Sequence, residues 1–107
     1  MTSEHDRTAA FAVLTAYEIE ETTPGAVLAA RSLELARTYG PAHPGFVSCR
    51  VFEGEDRKSI VVLTEWTSRE AFEAFRAGSE GREMVADAIV LHPKITFLLP
   101  AGIVSYA

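Results

Sequence analysis

The hydrophobic pattern near the start of the chain changes from a strand period to a helix period. From Ala9 to Ile19 both alternating faces are largely apolar, which predicts a strand buried on both sides. Thr23 and Pro24 then suit the N-cap and first positions of a helix, whose apolar residues recur at helical spacing as far as Tyr39. Gly40 is expected to end this helix in the left-handed conformation, because the proline after it cannot continue the hydrogen-bond ladder.

The middle of the chain reads as an antiparallel hairpin that leads directly into a second helix. Phe46–Glu53 and Ser59–Trp66 both alternate, and a short polar connection containing a glycine joins them. Thr67 is predicted to cap the following helix, and Glu70 to complete a capping box by reaching back to the Thr67 amide. Trp66 is therefore expected to be the last residue of its strand.

The second helix is predicted in two pieces, followed by a last strand. The first piece has Phe72 and Phe75 on one side, the glycine-containing stretch 78–81 interrupts it, and the second piece covers 82–91 with Met84 facing inward. The sequence KITFLL then predicts a final strand. Its trailing extension is too apolar to be expected free in water.

This order of elements, βαββαβ, predicts an α+β fold of the ferredoxin-like type, an antiparallel sheet with both helices on one face. Two helices cover one face of the sheet, yet the strands are apolar on both. The uncovered face therefore needs a partner, and a second copy of the chain is the simplest one. We expect a homodimer that meets sheet to sheet.

Composition narrows the class of partner. The 107 residues are the size of one domain, expected over 9–107, with residues 1–8 as a mobile tail that resembles neither a signal peptide nor a membrane anchor. The net charge is -5 and the basic residues are scattered, so neither nucleic acid nor a membrane is an expected partner. Cys49 is the single cysteine, expected to be a packed, reduced thiol in a cytoplasmic protein.

Two stretches of the chain resemble a known family. HPGFVSCRVF, with Pro44, Gly45 and Phe46 opening a strand, and VVLTEWTSREAFEAF are similar to the antibiotic biosynthesis monooxygenase-like family of dimeric α+β barrels. The resemblance extends from Phe11 to Tyr106. Within the family the chain looks most similar to the cofactor-free anthrone oxygenases, which convert aromatic polyketide anthrones to quinones.

The resemblance implies an apolar pocket between sheet and helices and a set of site residues. Trp66 matches the strand tryptophan that contacts substrate in those enzymes, whereas Val62 stands where they use an asparagine. Arg82 lies near the place of a family arginine on the second helical piece. The haem-degrading branch uses a histidine after the tryptophan, and residues 67–91 contain none, so haem degradation is set aside.

The implied chemistry requires no metal, flavin or other cofactor, because a deprotonated phenolic substrate can itself reduce O2. Trp66 is the candidate catalytic residue, able to donate through its indole N–H. Strict alternation puts Thr64 on the Trp66 face, while the face of the first strand stays open. The candidate substrate-binding residues are Thr15, Tyr17, Thr64, Phe72, Arg82 and Met84.

A metal site is not expected. In the predicted fold His43 and His92 lie at opposite ends of the sheet, so they cannot share a metal within one subunit. Phosphate-binding, paired-cysteine and nucleophile-elbow motifs are absent from the sequence.

Three functions are compatible with the amino-acid sequence. The first is a cofactor-independent monooxygenase acting on a polycyclic phenolic or anthrone-like molecule. The second is a non-oxygenase member that binds or isomerises a small aromatic or apolar metabolite, favoured by Val62 at the asparagine position. The third is a purely structural dimer with a filled core, which predicts no cavity. A cavity below roughly 300 Å³ would be too small for a tricyclic ligand.

Overall fold

The computed structural model describes residues 8–19, 25–78 and 93–104. A short 3-10 turn, Gly40–Ala42, follows the first helix. The predicted caps Thr23 and Pro24 and the predicted helical piece 82–91 lie outside the described residues. The elements in chain order are β1 (Phe11–Glu18), α1 (Gly25–Tyr39), β2 (Phe46–Glu53), β3 (Ser59–Trp66), α2 (Arg69–Ala77) and β4 (Lys94–Leu98).

The four strands form one antiparallel sheet in the order β2-β3-β1-β4. Residues of α1 and α2 pack on the same face of this sheet, where they enclose a cavity with side chains of the strands. This is the α+β ferredoxin-like arrangement predicted from the sequence. The bounds of β2 and β3 are those that the alternating pattern predicts.

The strand register settles which side chains of β1 face the helices. Val13 lies opposite Thr64, and Thr15 lies opposite Val62. Tyr17 continues the same row by lying opposite Ile60. Since directly opposed residues project to the same side of a sheet, the odd-numbered residues of β1 share the helix-covered face with Trp66.

A bulge at the start of β2 sets the position of Phe46. Phe46 pairs with Trp66, but the register shifts by one residue before Ser48 pairs with Glu65. The extra residue lets Phe46 and Cys49 project to the same face, which strict alternation would forbid for positions three apart. The bulge therefore adds an aromatic ring to the helix-covered side of the sheet.

Gly40 and Gly45 stand where neighbouring side chains come too close for a Cβ atom. The predicted left-handed conformation of Gly40 is wrong, since no glycine in the described ranges has a positive φ and the chain continues into the 3-10 turn. A Cβ at Gly40 would lie 2.8 Å from the ring of Phe46. A Cβ at Gly45 would overlap the Cβ of Ala71 on α2. These glycines let the β2 entry pack under the helices.

Ser68 caps α2, so the prediction that Thr67 is the N-cap is wrong. The Ser68 hydroxyl accepts a hydrogen bond from the Ala71 amide at 3.1 Å. The Thr67 amide, which the predicted capping box would have paired with Glu70, donates to the Gly45 carbonyl oxygen at 2.8 Å. The loop before β2 thus fixes where the helix begins.

The face of the sheet opposite the helices is partly exposed in the single chain. Leu14 and Leu63, which oppose each other there, are half-buried, whereas Phe52 is 52% exposed. Beyond β4, Leu99, Ile103 and Val104 are largely exposed. The prediction that this apolar extension would be shielded from water is not met within one subunit. Among the described helices, none is long and apolar enough to cross a membrane.

Replacing Ser68 with Ala should destabilise the fold, because the Ala71 amide loses its acceptor. The expected cost is about 1 kcal/mol, or roughly 4–8 °C in Tm, measured by thermal unfolding. Thr67→Ala is the matched control and should shift Tm much less, since Thr67 contributes its backbone amide. A larger loss for Thr67→Ala than for Ser68→Ala would contradict the observed cap.

Candidate functional site

A partly open cavity of about 160 Å³ lies between the sheet and the helices. Every element of the described fold contributes to its lining, which is mostly apolar and aromatic with a few hydroxyl groups. The lining residues are Val13, Thr15, Tyr17, Ser32, Leu35, Ala36, Gly40, Phe46, Cys49, Val62, Thr64, Trp66, Phe72, Phe75, Arg76, Ile95 and Phe97.

Trp66 lines this cavity and belongs to an aromatic cluster. It is 2% exposed. Its ring centroid is 5.4 Å from that of Phe46, 5.5 Å from that of Phe72 and 5.3 Å from that of Phe75. These separations are typical of stabilising aromatic pairs. Trp66 is therefore both a core residue and part of the cavity lining.

The indole N–H of Trp66 donates to the Thr64 hydroxyl oxygen, with 3.0 Å between Nε1 and Oγ1. An indole has one N–H and no acceptor, so this bond satisfies its polar capacity. The sequence-based expectation that the indole N–H is available to a ligand is therefore not met. What the cavity receives from Trp66 is the ring, whose N–H is bonded to the neighbouring Thr64 hydroxyl.

The candidate residues that the structure describes all line the same cavity. Thr15, Tyr17, Thr64 and Phe72 converge there with Trp66. The sequence left open which face of β1 carries Thr15 and Tyr17. The register of β1 with β3 places both residues on the cavity side. The other two candidates, Arg82 and Met84, lie outside the described residues.

Sequence reasoning missed several lining residues, for identifiable reasons. The helical period could have identified two of them, because residues three or four positions apart share a helix face. Ser32 precedes Leu35 by three positions, and Arg76 follows Phe72 by four. Phe46 was hidden by the bulge in β2. The sequence contains no comparable signal for that bulge.

Two lining residues give the cavity its electrostatic character. Arg76, in the last turn of α2, is the charged side chain of the lining, and within the described ranges it has no ion-pair partner. Its position also complements the helix dipole. Cys49 is half-buried, and this burial raises the pKa of its thiol. At neutral pH the thiol is thus uncharged.

Neither of the two histidines considered for a metal supplies an evident ligand site. His43 packs edge-on against the ring of Phe75, with 4.8 Å between centroids. His92 lies outside the described residues. In the part of the chain that the structure covers, no three His, Cys, Asp or Glu side chains come together as a metal site.

The size and lining of the cavity limit what it can enclose. Its volume of about 160 Å³ is below the roughly 300 Å³ expected for a pocket that encloses a tricyclic ligand. A cavity of about 150 Å³ is enough for one benzene ring. Val62 is buried and adds apolar surface beside Thr15. The enclosed part thus fits one aromatic ring, with any fused rings toward the opening.

Solved structures with the same fold include several oxygenases. A monooxygenase from the gene ActVA-Orf6 of Streptomyces coelicolor, crystallised with the ligand nanaomycin D, is 21% identical, with 99% of this chain and 100% of that one covered and a TM-score of 0.75. The cofactor-independent oxygenase SnoaB from Streptomyces nogalater is 15% identical, with 92% and 100% covered and a TM-score of 0.72.

A third solved structure has the same fold as well. Rv0793 from Mycobacterium tuberculosis is 20% identical, with 91% of this chain and 100% of that one covered and a TM-score of 0.67. At these identities the likeness establishes the fold.

No curated protein sequence matches the chain. The family model described as antibiotic biosynthesis monooxygenase matches residues 10–87. The chain therefore belongs to the antibiotic biosynthesis monooxygenase family.

Proposed function

We propose that the protein is a cofactor-independent monooxygenase that oxidises a phenolic, anthrone-like molecule with O2. The observation that carries this proposal is the cavity on the helix-covered face, lined by aromatic rings, among them that of Trp66, and by hydroxyl groups. Membership of the monooxygenase family and the oxygenase activity in the names of two structural relatives support it. The single, reduced Cys49 fits a cytoplasmic protein.

The reaction takes its electrons from the substrate. An anthrone loses a proton from its methylene carbon, and the resulting enolate passes electrons to O2 as a C–O bond forms. The peroxide anion takes up a proton, which replaces the one lost from the methylene carbon, and the hydroperoxide then loses water, so that one anthrone and one O2 give one quinone and one water. The protein has to favour the anion, hold its ring and exclude bulk water.

The described side chains supply these three requirements. The rings of Phe46, Trp66 and Phe75 hold an aromatic face and exclude water. Arg76 is the cation that favours an ionised substrate.

A second candidate is a non-oxygenase that binds or isomerises a smaller aromatic molecule. The enclosed volume of about 160 Å³ and the apolar Val62 favour it. The third interpretation, a structural dimer with a filled core, predicts no cavity and fits this lining less well. Oxygen consumption separates the first candidate from the other two.

Metal-free, flavin-free protein should accelerate oxygen uptake by dithranol, an anthrone, above the spontaneous rate. Trp66→Phe should reduce the enzymatic rate by roughly tenfold to a hundredfold, because the ring no longer fills the cavity and the Thr64 hydroxyl loses its orienting partner. An oxygen electrode measures both rates, and product analysis should give one quinone per O2.

Val27→Ala provides the control for that assay, since Val27 is exposed on α1 and away from the cavity lining. Its rate should equal that of the wild type. Absence of any rate enhancement by wild-type protein, under conditions where dithranol binds, would overturn the oxygenase proposal in favour of the smaller-ligand candidate.

Cys49 offers an independent report of cavity occupancy, because it is the single cysteine of the chain. The thiolate is the form that iodoacetamide attacks, and burial raises the pKa of this thiol, so alkylation should accelerate only as pH rises above the range of a free cysteine. Saturating 1,8-dihydroxyanthraquinone should slow alkylation further, as followed by mass spectrometry.

Urea-unfolded protein is the control for this labelling, and its alkylation rate should be independent of the quinone. Equal rates in the folded protein with and without bound quinone would show that the ligand occupies some other place.

We further propose that the protein works as a homodimer, joined through the face of the sheet opposite the helices. Leu14 and Leu63 oppose each other at the centre of that face, and Phe52 is exposed beside them. The exposed Leu99 and Ile103 of the C-terminal extension provide further apolar surface for a partner. A contact between identical copies would bury both surfaces.

Light scattering at micromolar concentration should give twice the mass of one chain. Leu63→Lys should convert the protein to a monomer, because it places a charge in the proposed contact. Thr38→Lys, on the exposed side of α1, is the matched control and should stay dimeric. A monomeric mass for the wild type would rule out the dimer.

A further inference from the structure

The bond between Trp66 and Thr64 uses an acceptor site of a hydroxyl that lines the cavity and leaves its proton unused. A threonine hydroxyl has one proton and two lone pairs. One lone pair of Thr64 accepts from the indole N–H at 3.0 Å. Across the described residues, the Thr64 hydroxyl proton has no acceptor among the hydrogen bonds of the fold. Thr64 therefore remains able to donate.

The neighbours of Thr64 on the sheet do not compete for that proton. Its directly opposed residues are Cys49 on β2 and Val13 on β1, which offer an uncharged thiol and an aliphatic side chain. All three line the cavity. Among the three residues of this row, the Thr64 hydroxyl is thus the strong donor that a ligand would meet.

We propose that Thr64 is the hydrogen-bond donor to the oxygen of the bound ligand and that Trp66 is its positioning residue. The indole N–H occupies one lone pair of the hydroxyl and so turns its proton away from Trp66, toward the cavity. Accepting a hydrogen bond also strengthens a hydroxyl as a donor. The chemical class selected is an aromatic molecule with a ketone or phenolate oxygen at the ring edge.

This inference rests on the proposed function for the kind of ligand, and it changes the division of roles within the site. Trp66 contributes its ring and the orientation of a neighbour, whereas Thr64 contacts the atom on which negative charge accumulates in the enolate. A structural role alone, in which Thr64 serves to satisfy a buried indole, predicts no selectivity for oxygen-bearing ligands.

Two bicyclic probes separate these roles: 1-tetralone, which has a ketone oxygen, and tetralin, which lacks it. Affinities are measured by quenching of Trp66 fluorescence, or by NMR titration for Trp66 variants. Wild-type protein should prefer 1-tetralone. Thr64→Val keeps the shape and should weaken 1-tetralone binding about fivefold more than it weakens tetralin binding. Thr64→Ser should restore the preference.

The Trp66→Phe variant tests the positioning role. It should lose most of the ketone preference although Thr64 is intact. The single indole gives a direct spectroscopic reading, because its N–H resonance should move upfield in Thr64→Val and stay near its wild-type position in Thr64→Ser. Tetralin binding by Thr64→Val shows whether this variant still forms the cavity, and the ketone preference is read relative to it.

Equal 1-tetralone affinity in wild type and Thr64→Val would overturn the inference, as would a parallel loss of both probes. Retention of the full ketone preference in Trp66→Phe would remove the positioning role. Oxygen uptake is a separate readout. Ketone selectivity without oxygen uptake contradicts the oxygenase alone, and oxygen uptake that survives Thr64→Val contradicts the present inference alone.

Discussion

Burial of the Trp66 indole is the constraint on which the rest of the site depends. A buried indole has to find an acceptor for its N–H, and here Thr64, two residues earlier on the same strand, provides it. The bond ties the indole ring to its own strand beside the cavity. Phe46 and Phe75 then pack on it from the sheet and from α2. One interaction thus links strand, helix and cavity.

Two close approaches make room for that packing. Gly40 lets the Phe46 ring lie beneath the end of α1, and Gly45 lets α2 begin directly against the loop before β2. The Gly45 carbonyl also holds the Thr67 amide, which leaves Ser68 to cap the helix. The short segment between α1 and β2 therefore positions the aromatic cluster as much as the strands do.

The fold was largely predictable, because β2 and β3 alternate clearly and their polar connection marks a hairpin. The site was predictable where alternation is strict, as for Thr64 beside Trp66. The site was not predictable where either of two faces or residues would satisfy the same chemical requirement. Both faces of β1 are apolar, so the side of Thr15 depends on its register with β3. Adjacent hydroxyl residues at the start of α2 made the cap ambiguous.

A local irregularity of β2 explains a further feature of the site that the sequence pattern did not predict. The bulge that turns Phe46 toward the cavity comes from one unpaired residue in β2, and no residue type there requires it. The apolar C-terminal extension is exposed in a single chain, which agrees with a requirement for a partner surface. Alternation along one strand carries no information about such contacts.

The most direct measurement is a crystal structure of the protein with 1,8-dihydroxyanthraquinone bound. One ring of the ligand is expected inside the cavity against Trp66, with a ligand oxygen within about 3.2 Å of the Thr64 hydroxyl and the indole bond retained. A ligand bound at another surface, or a cavity closed by its own side chains, would contradict it.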